Sequence, residues 1–95
     1  MVKKRNKVEI VNDILSSIQH KGEIKPTHIM YKSNLSHKLL NSYLEELMEK
    51  ELVSVEEEEK KKRQKGSRVI VITEKGLGFL EEFRRMREFT NAFGL

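Results

Sequence analysis

Four side chains near the middle of this 95-residue chain can make directional contacts from one side of a helix: His37, Lys38, Asn41 and Ser42. An asparagine amide offers a donor and an acceptor together, the pattern that pairs with the edge of adenine. Imidazole and hydroxyl groups donate or accept singly, and an ammonium meets phosphate. Ser36 precedes them at a helix-capping position and joins the set. Further along, Lys60, Lys61, Lys62, Arg63, Lys65 and Arg68 form a second cluster. Cations gathered this way neutralise backbone phosphates. Four glutamates, Glu56 to Glu59, run directly into that cluster. Read blandly, the same stretch is a solubilising loop whose Glu run pairs its Lys run.

Other chemistries lack their residues. There is no Cys, which excludes disulfides, cysteine nucleophiles and Cys-ligated zinc. His20, His28 and His37 do not have metal-ligand spacing, Asp13 is the sole Asp, and phosphate-cradling glycine loops are missing. Gly76 and Gly78 fall at a helix start and read as close packing. The expectation is a non-enzyme with no cofactor, no metal and no evident small-molecule ligand. No apolar run approaches the ~18 residues of a membrane span, and the basic start is not followed by a signal-peptide core, so a cytoplasmic protein with no membrane partner is expected. A net charge of +4 leans weakly toward a polyanionic partner.

The elements that must position these residues follow from periodicity. Asn6 to about Lys21 reads as a helix, with Val8, Val11, Leu15 and Ile18 as its stripe, Ile10 and Ile14 widening it, and Gly22 as its stop. Residues 1–5 ahead of it form a basic tail; Lys3, Lys4, Arg5 and Lys7 can reach phosphate or sit in solvent. Glu23 to Lys25 reads as an extended link. Pro26 then suits a first helical position, with Thr27 as an alternative cap, and this short helix ends near Lys32. Ser33-Asn34 signals a turn, because Asn accepts a left-handed backbone, and Leu35 plugs the space between two helices. From Ser36 to about Lys50, Leu39, Leu40, Tyr43, Leu44, Leu47 and Met48 form an apolar stripe opposite the polar set. Glu45, Glu46 and Glu49 burden only the second half of that helix, so its first half is the one suited to DNA.

Residues 52–57 and 68–73 read as two strands of a hairpin, the charged run lying in the loop between them. The second strand is apolar on both faces. Thr73 caps a last helix running to about Ala92, along which Phe79, Phe83, Met86, Phe89 and Phe93 supply apolar surface. Its second half outruns the surface of so small a domain, which points to a second copy and a homodimer interface formed by those five residues; the alternative is that the helix folds back along the first helix. The fold class is therefore α+β and mostly helical: a winged helix-turn-helix of three helices and a two-stranded wing over residues 6–73, followed by a dimerisation helix over residues 74–95. Duplex DNA is the expected partner. A winged-helix adaptor that docks proteins through its glutamates is the alternative.

Thr27, Ile29-Met30-Tyr31, Asn34-Leu35-Ser36, Leu40 and Tyr43-Leu44 together resemble the T-x-I-M-Y-x-x-N-L-S…L-x-x-Y-L pattern of small archaeal winged-helix proteins. Thr73-Glu74-Lys75-Gly76 is similar to the T-x-K-G opening of that group's last helix. The group includes the roughly ten-kilodalton Sulfolobus DNA-binding protein family and related predicted transcriptional regulators. The resemblance spans about residues 7 to 86. It implies DNA binding through the second helix of the motif and the wing, dimerisation through the last helix, and a regulatory or nucleoid-associated role. The loop from Glu56 to Ser67 is longer and more charged than the family's usual hairpin, and the last helix is shorter than the Sulfolobus coiled-coil arm.

Overall fold

Side-chain caps start three of the four helices among the described residues. A computed structural model of the chain describes residues 5–57 and 68–95. The first helix, α1, spans Lys7–Lys21. The Asn6 side chain accepts from the Glu9 N–H at 2.8 Å, and the Glu9 carboxylate accepts from the Asn6 N–H at 2.9 Å. This reciprocal box satisfies two donors that a helix start leaves unpaired. Gly22 closes α1 at φ +90°, where its N–H reaches the Ile18 carbonyl.

A two-residue strand, β1 (Glu23–Ile24), leads into α2 (Pro26–Ser33). Pro26 takes the first helical position and Lys25 the cap position, so Thr27 lies inside the helix and does not cap it. Asn34 ends α2 in the left-handed region, at φ 56° and ψ 49°. Its N–H reaches the Tyr31 carbonyl and the Leu35 N–H reaches that of Met30, which closes the helix while burying Leu35 in the core. Ser36 then accepts from the Leu39 N–H at 3.1 Å and starts α3 (His37–Glu49).

The core lies where α1, α2 and α3 meet the sheet. From α1 it takes Val11, Ile14, Leu15 and Ile18. Ile14 is fully buried, whereas Val8, expected in the stripe, sits in the first turn and is 44% exposed. From α3 it takes Leu40, Leu44 and Leu47; Leu39 and Met48 fall at the edges of the stripe and stay exposed.

The wing strands β2 (Val53–Glu57) and β3 (Arg68–Ile72) pair antiparallel, from Val53 opposite Ile72 to Glu57 opposite Arg68. The supposed link at Glu23–Ile24 is a third strand, pairing Ile24 with Ile70, so the sheet order is β1-β3-β2. Cover on both faces of β3 accounts for its apolar run: neighbouring residues point to opposite faces, and Val69 and Ile70 are both buried. The last helix, α4 (Glu74–Ala92), packs along α1 and touches β3.

Candidate nucleic-acid interface

α3 presents its first half to solvent without a carboxylate. His37, Lys38, Asn41 and Ser42 are all exposed, and no acidic residue lies in the first turn. The Asn41 amide nitrogen lies 3.4 Å from the His37 ring nitrogen, one helical turn away. The Ser36 hydroxyl oxygen accepts from the Leu39 N–H, and its own O–H is still able to donate.

The glutamates of α3 separate into two kinds. Glu45 and Glu49 are exposed on the second half of the helix. Glu46 is turned back toward α1, where its carboxylate accepts from Lys7 Nζ at 2.7 Å. That hydrogen bond, followed by the attraction of the two charges, raises the Lys7 pKa above the usual lysine value. The same hydrogen bond lowers the Glu46 carboxyl below its ordinary value. One charge that would repel a polyanion is thus neutralised within the fold.

Arg5 is likewise engaged, although the sequence places it in the basic tail. It donates to the Asp13 carboxylate and, at 2.7 Å, to the Ser33 carbonyl at the end of α2. Arg5 and Lys7 therefore bind α1 to both helices of the motif. No periodicity shows this; it takes the folded proximity of residues 28 and 39 positions apart.

Of the wing cations, Arg68 begins β3 and is exposed. Lys60, Lys61, Lys62, Arg63 and Lys65 lie outside the described residues, as do Lys3 and Lys4 of the tail. An exposed Tyr31 at the end of α2 presents an aromatic ring and a hydroxyl beside the turn. It lies opposite the buried Ile29 and Ser33 on α2, a placement its sequence neighbours do not announce.

The five apolar residues of α4 divide. Phe83 is buried in its own domain, and Phe79 packs against the core with its ring 6.2 Å from that of Phe83. Met86, Phe89 and Phe93 are instead 50%, 62% and 66% exposed. A groove of about 650 Å³ opens between α1 and α4, its lining mixing Ser16 and Gln19 of α1 with Leu80, Phe83, Arg84 and Glu88 of α4. Among the described residues no cluster of His, Asp and Glu could hold a metal ion, and no helix is long and apolar enough to cross a membrane.

A short helix, a left-handed turn, an exposed second helix and an antiparallel hairpin define a winged helix-turn-helix domain. The chain belongs to the winged helix-turn-helix family, whose model matches residues 4–91. Its fold is similar to that of Sso10a-2, a DNA-binding protein from Sulfolobus solfataricus, at 24% identity and a TM-score of 0.69 over 95% of this chain and 90% of that one. A MarR family transcriptional regulator from Silicibacter pomeroyi is similar at 20% identity and a TM-score of 0.72, covering 90% of this chain and 56% of the other. Lactococcus lactis ZitR, in complex with DNA, is similar at 16% identity and a TM-score of 0.58, covering 98% and 62%. The chain thus spans little more than half the length of the last two proteins. No curated protein matches its sequence.

Proposed function

We propose that this protein binds duplex DNA as a homodimer and acts as an archaeal transcriptional regulator or nucleoid-associated protein in the cytoplasm. The carrying observation is the carboxylate-free first half of α3, with His37, Lys38, Asn41 and Ser42 exposed together on a winged helix-turn-helix. These residues enter the major groove, Asn41 takes an adenine edge, and Ser36 holds a phosphate. The wing cations Lys60, Lys61, Lys62, Arg63, Lys65 and Arg68 hold backbone phosphates.

Dimerisation is supported by the exposed Met86, Phe89 and Phe93. In a two-fold dimer on DNA the paired α3 helices should sit ~34 Å apart, one turn of DNA, or a multiple of it.

The test is fluorescence anisotropy with random-sequence duplex DNA over a salt series, with mass measured by light scattering. Binding by a dimer, with a log-log salt slope of about −5 for six neutralised phosphates, is the expected result. Phe89→Asp should yield a monomer that binds DNA more weakly. Absence of binding to any duplex at low salt would overturn the proposal and turn attention to the adaptor reading.

A further inference from the structure

α3 and α4 do not lie side by side: α4 packs on α1 and β3, and α3 on α2 and β2. They meet at one corner. There Glu51 adopts φ +65°, a left-handed conformation that a residue with a Cβ takes at a cost. The Leu52 N–H reaches the Leu47 carbonyl at 2.8 Å and the Glu51 N–H that of Met48 at 3.0 Å, the closure that usually has glycine at its centre. No basic residue in the last turn of α3 serves its terminal carbonyls.

The start of α4 serves the carbonyls of the corner instead. Lys75 Nζ donates to the Lys50 carbonyl at 2.9 Å, and the Thr73 hydroxyl donates to that of Glu51 at 2.7 Å. The Thr73 N–H reaches the Leu52 carbonyl at 3.2 Å. Gly76 lies so close that a Cβ there would stand 2.3 Å from the Leu52 oxygen. Three consecutive carbonyls are thus gripped by one four-residue run. Thr73 also caps α4 by accepting from the Gly76 N–H, so the same side chain ends one helix and begins the other.

We propose that Thr73, Lys75 and Gly76 form a rigid joint that fixes the angle between the dimerisation helix and the DNA-reading helix, and that they are positioning residues for DNA binding. This rests on the reading of α3 as the helix that contacts DNA. The leverage follows from length. α3 has 13 residues and is therefore about 20 Å long. A tilt of ~10° at the corner moves its DNA-reading end by about 3 Å, close to the ~3.4 Å spacing of bases along a strand. A dimer holding two such helices in register with DNA cannot absorb that error at both ends. Freezing a loose joint on binding also costs conformational entropy.

The test uses the full chain, which has no native Cys to compete for labels. Spin labels on Glu45→Cys in α3 and Glu82→Cys in α4, diluted with unlabelled protein, report the distance between the two helices. The parent should give one narrow distribution. Lys75→Met should broaden it and weaken binding to a 30-base-pair random duplex by about fivefold, the worth of one hydrogen bond. Lys75→Arg, which restores the donor, should recover both. An unchanged distribution in Lys75→Met overturns the joint; a broadened one with undiminished DNA affinity overturns the positioning role. If the parent binds no duplex, α3 is not a DNA-reading helix and the positioning role falls, while the distance measurement still decides the joint.

Discussion

The two glycines at the start of α4 provide a test with its own control. Gly76 and Gly78 lie two residues apart on one helix. A Cβ at Gly76 would stand 2.3 Å from the Leu52 carbonyl oxygen and 2.6 Å from Ile72 Cγ1. The oxygen cannot withdraw, because it accepts the Thr73 N–H. A Cβ at Gly78 would meet nothing within 4 Å. Alanine in place of glycine favours a helix by roughly 0.5–1 kcal/mol, so Gly78→Ala should be stabilising by that amount. Gly76→Ala receives the same benefit but incurs an overpacking cost of typically 1–3 kcal/mol, at the high end here because half of the clash is with backbone. Its net effect should be a loss of about 2 kcal/mol. For a domain of this size that lowers Tm by roughly 10 °C, while Gly78→Ala raises it by a few degrees. Thermal unfolding followed by circular dichroism reads both, at one fixed protein concentration. A Gly76→Ala variant as stable as the parent would refute the close approach, and with it the glycine's place in the corner.

Two further predictions address the turn and the ion pair. Asn34→Ala should destabilise the protein by about 1–2 kcal/mol in urea unfolding, because alanine resists the left-handed backbone, while Asn34→Gly should be close to neutral; equal loss in both would deny that conformation its role. A double-mutant cycle on Lys7→Met and Glu46→Gln should show favourable coupling near neutral pH. The lowered Glu46 pKa means its share is present above the ordinary carboxyl value of 4.5 and disappears as pH falls through the folded value below it. The raised Lys7 pKa means its share is complete below 10.5 and is lost as pH rises past the folded value above it. Salt should weaken the coupling, and coupling that persists at pH 3 in molar salt would rule out an ionic origin.

Local features of this fold were legible because local chemistry determines them. Asn6, Gly22, Pro26, Asn34, Ser36 and Thr73 punctuate the helices through bonds spanning a few residues, and their identities announce them. The apolar stripes announce which helix faces are inside. They do not announce where cover ends, so Val8 and Leu39 read as core yet stay exposed.

Pairing across long sequence distances is decided by the tertiary structure alone. A two-residue strand has too short a run for periodicity, so β1 emerges only beside β3. Arg5 and Lys7 read as tail cations until folding brings Ser33 and Glu46 within reach. The phenylalanines of α4 share one apolar character, and only packing separates the buried Phe83 from the exposed Phe89 and Phe93. The T-x-K-G run reads as a helix start. Its grip on Lys50, Glu51 and Leu52 exists because the sheet returns the chain to the end of α3. The sequence by itself determined the helices, the turn and the motif's polar face, since caps and periodicity act within one element. The tertiary structure decided which charges are already paired within the fold and how α3 is held, since both depend on surfaces that meet only when the chain closes.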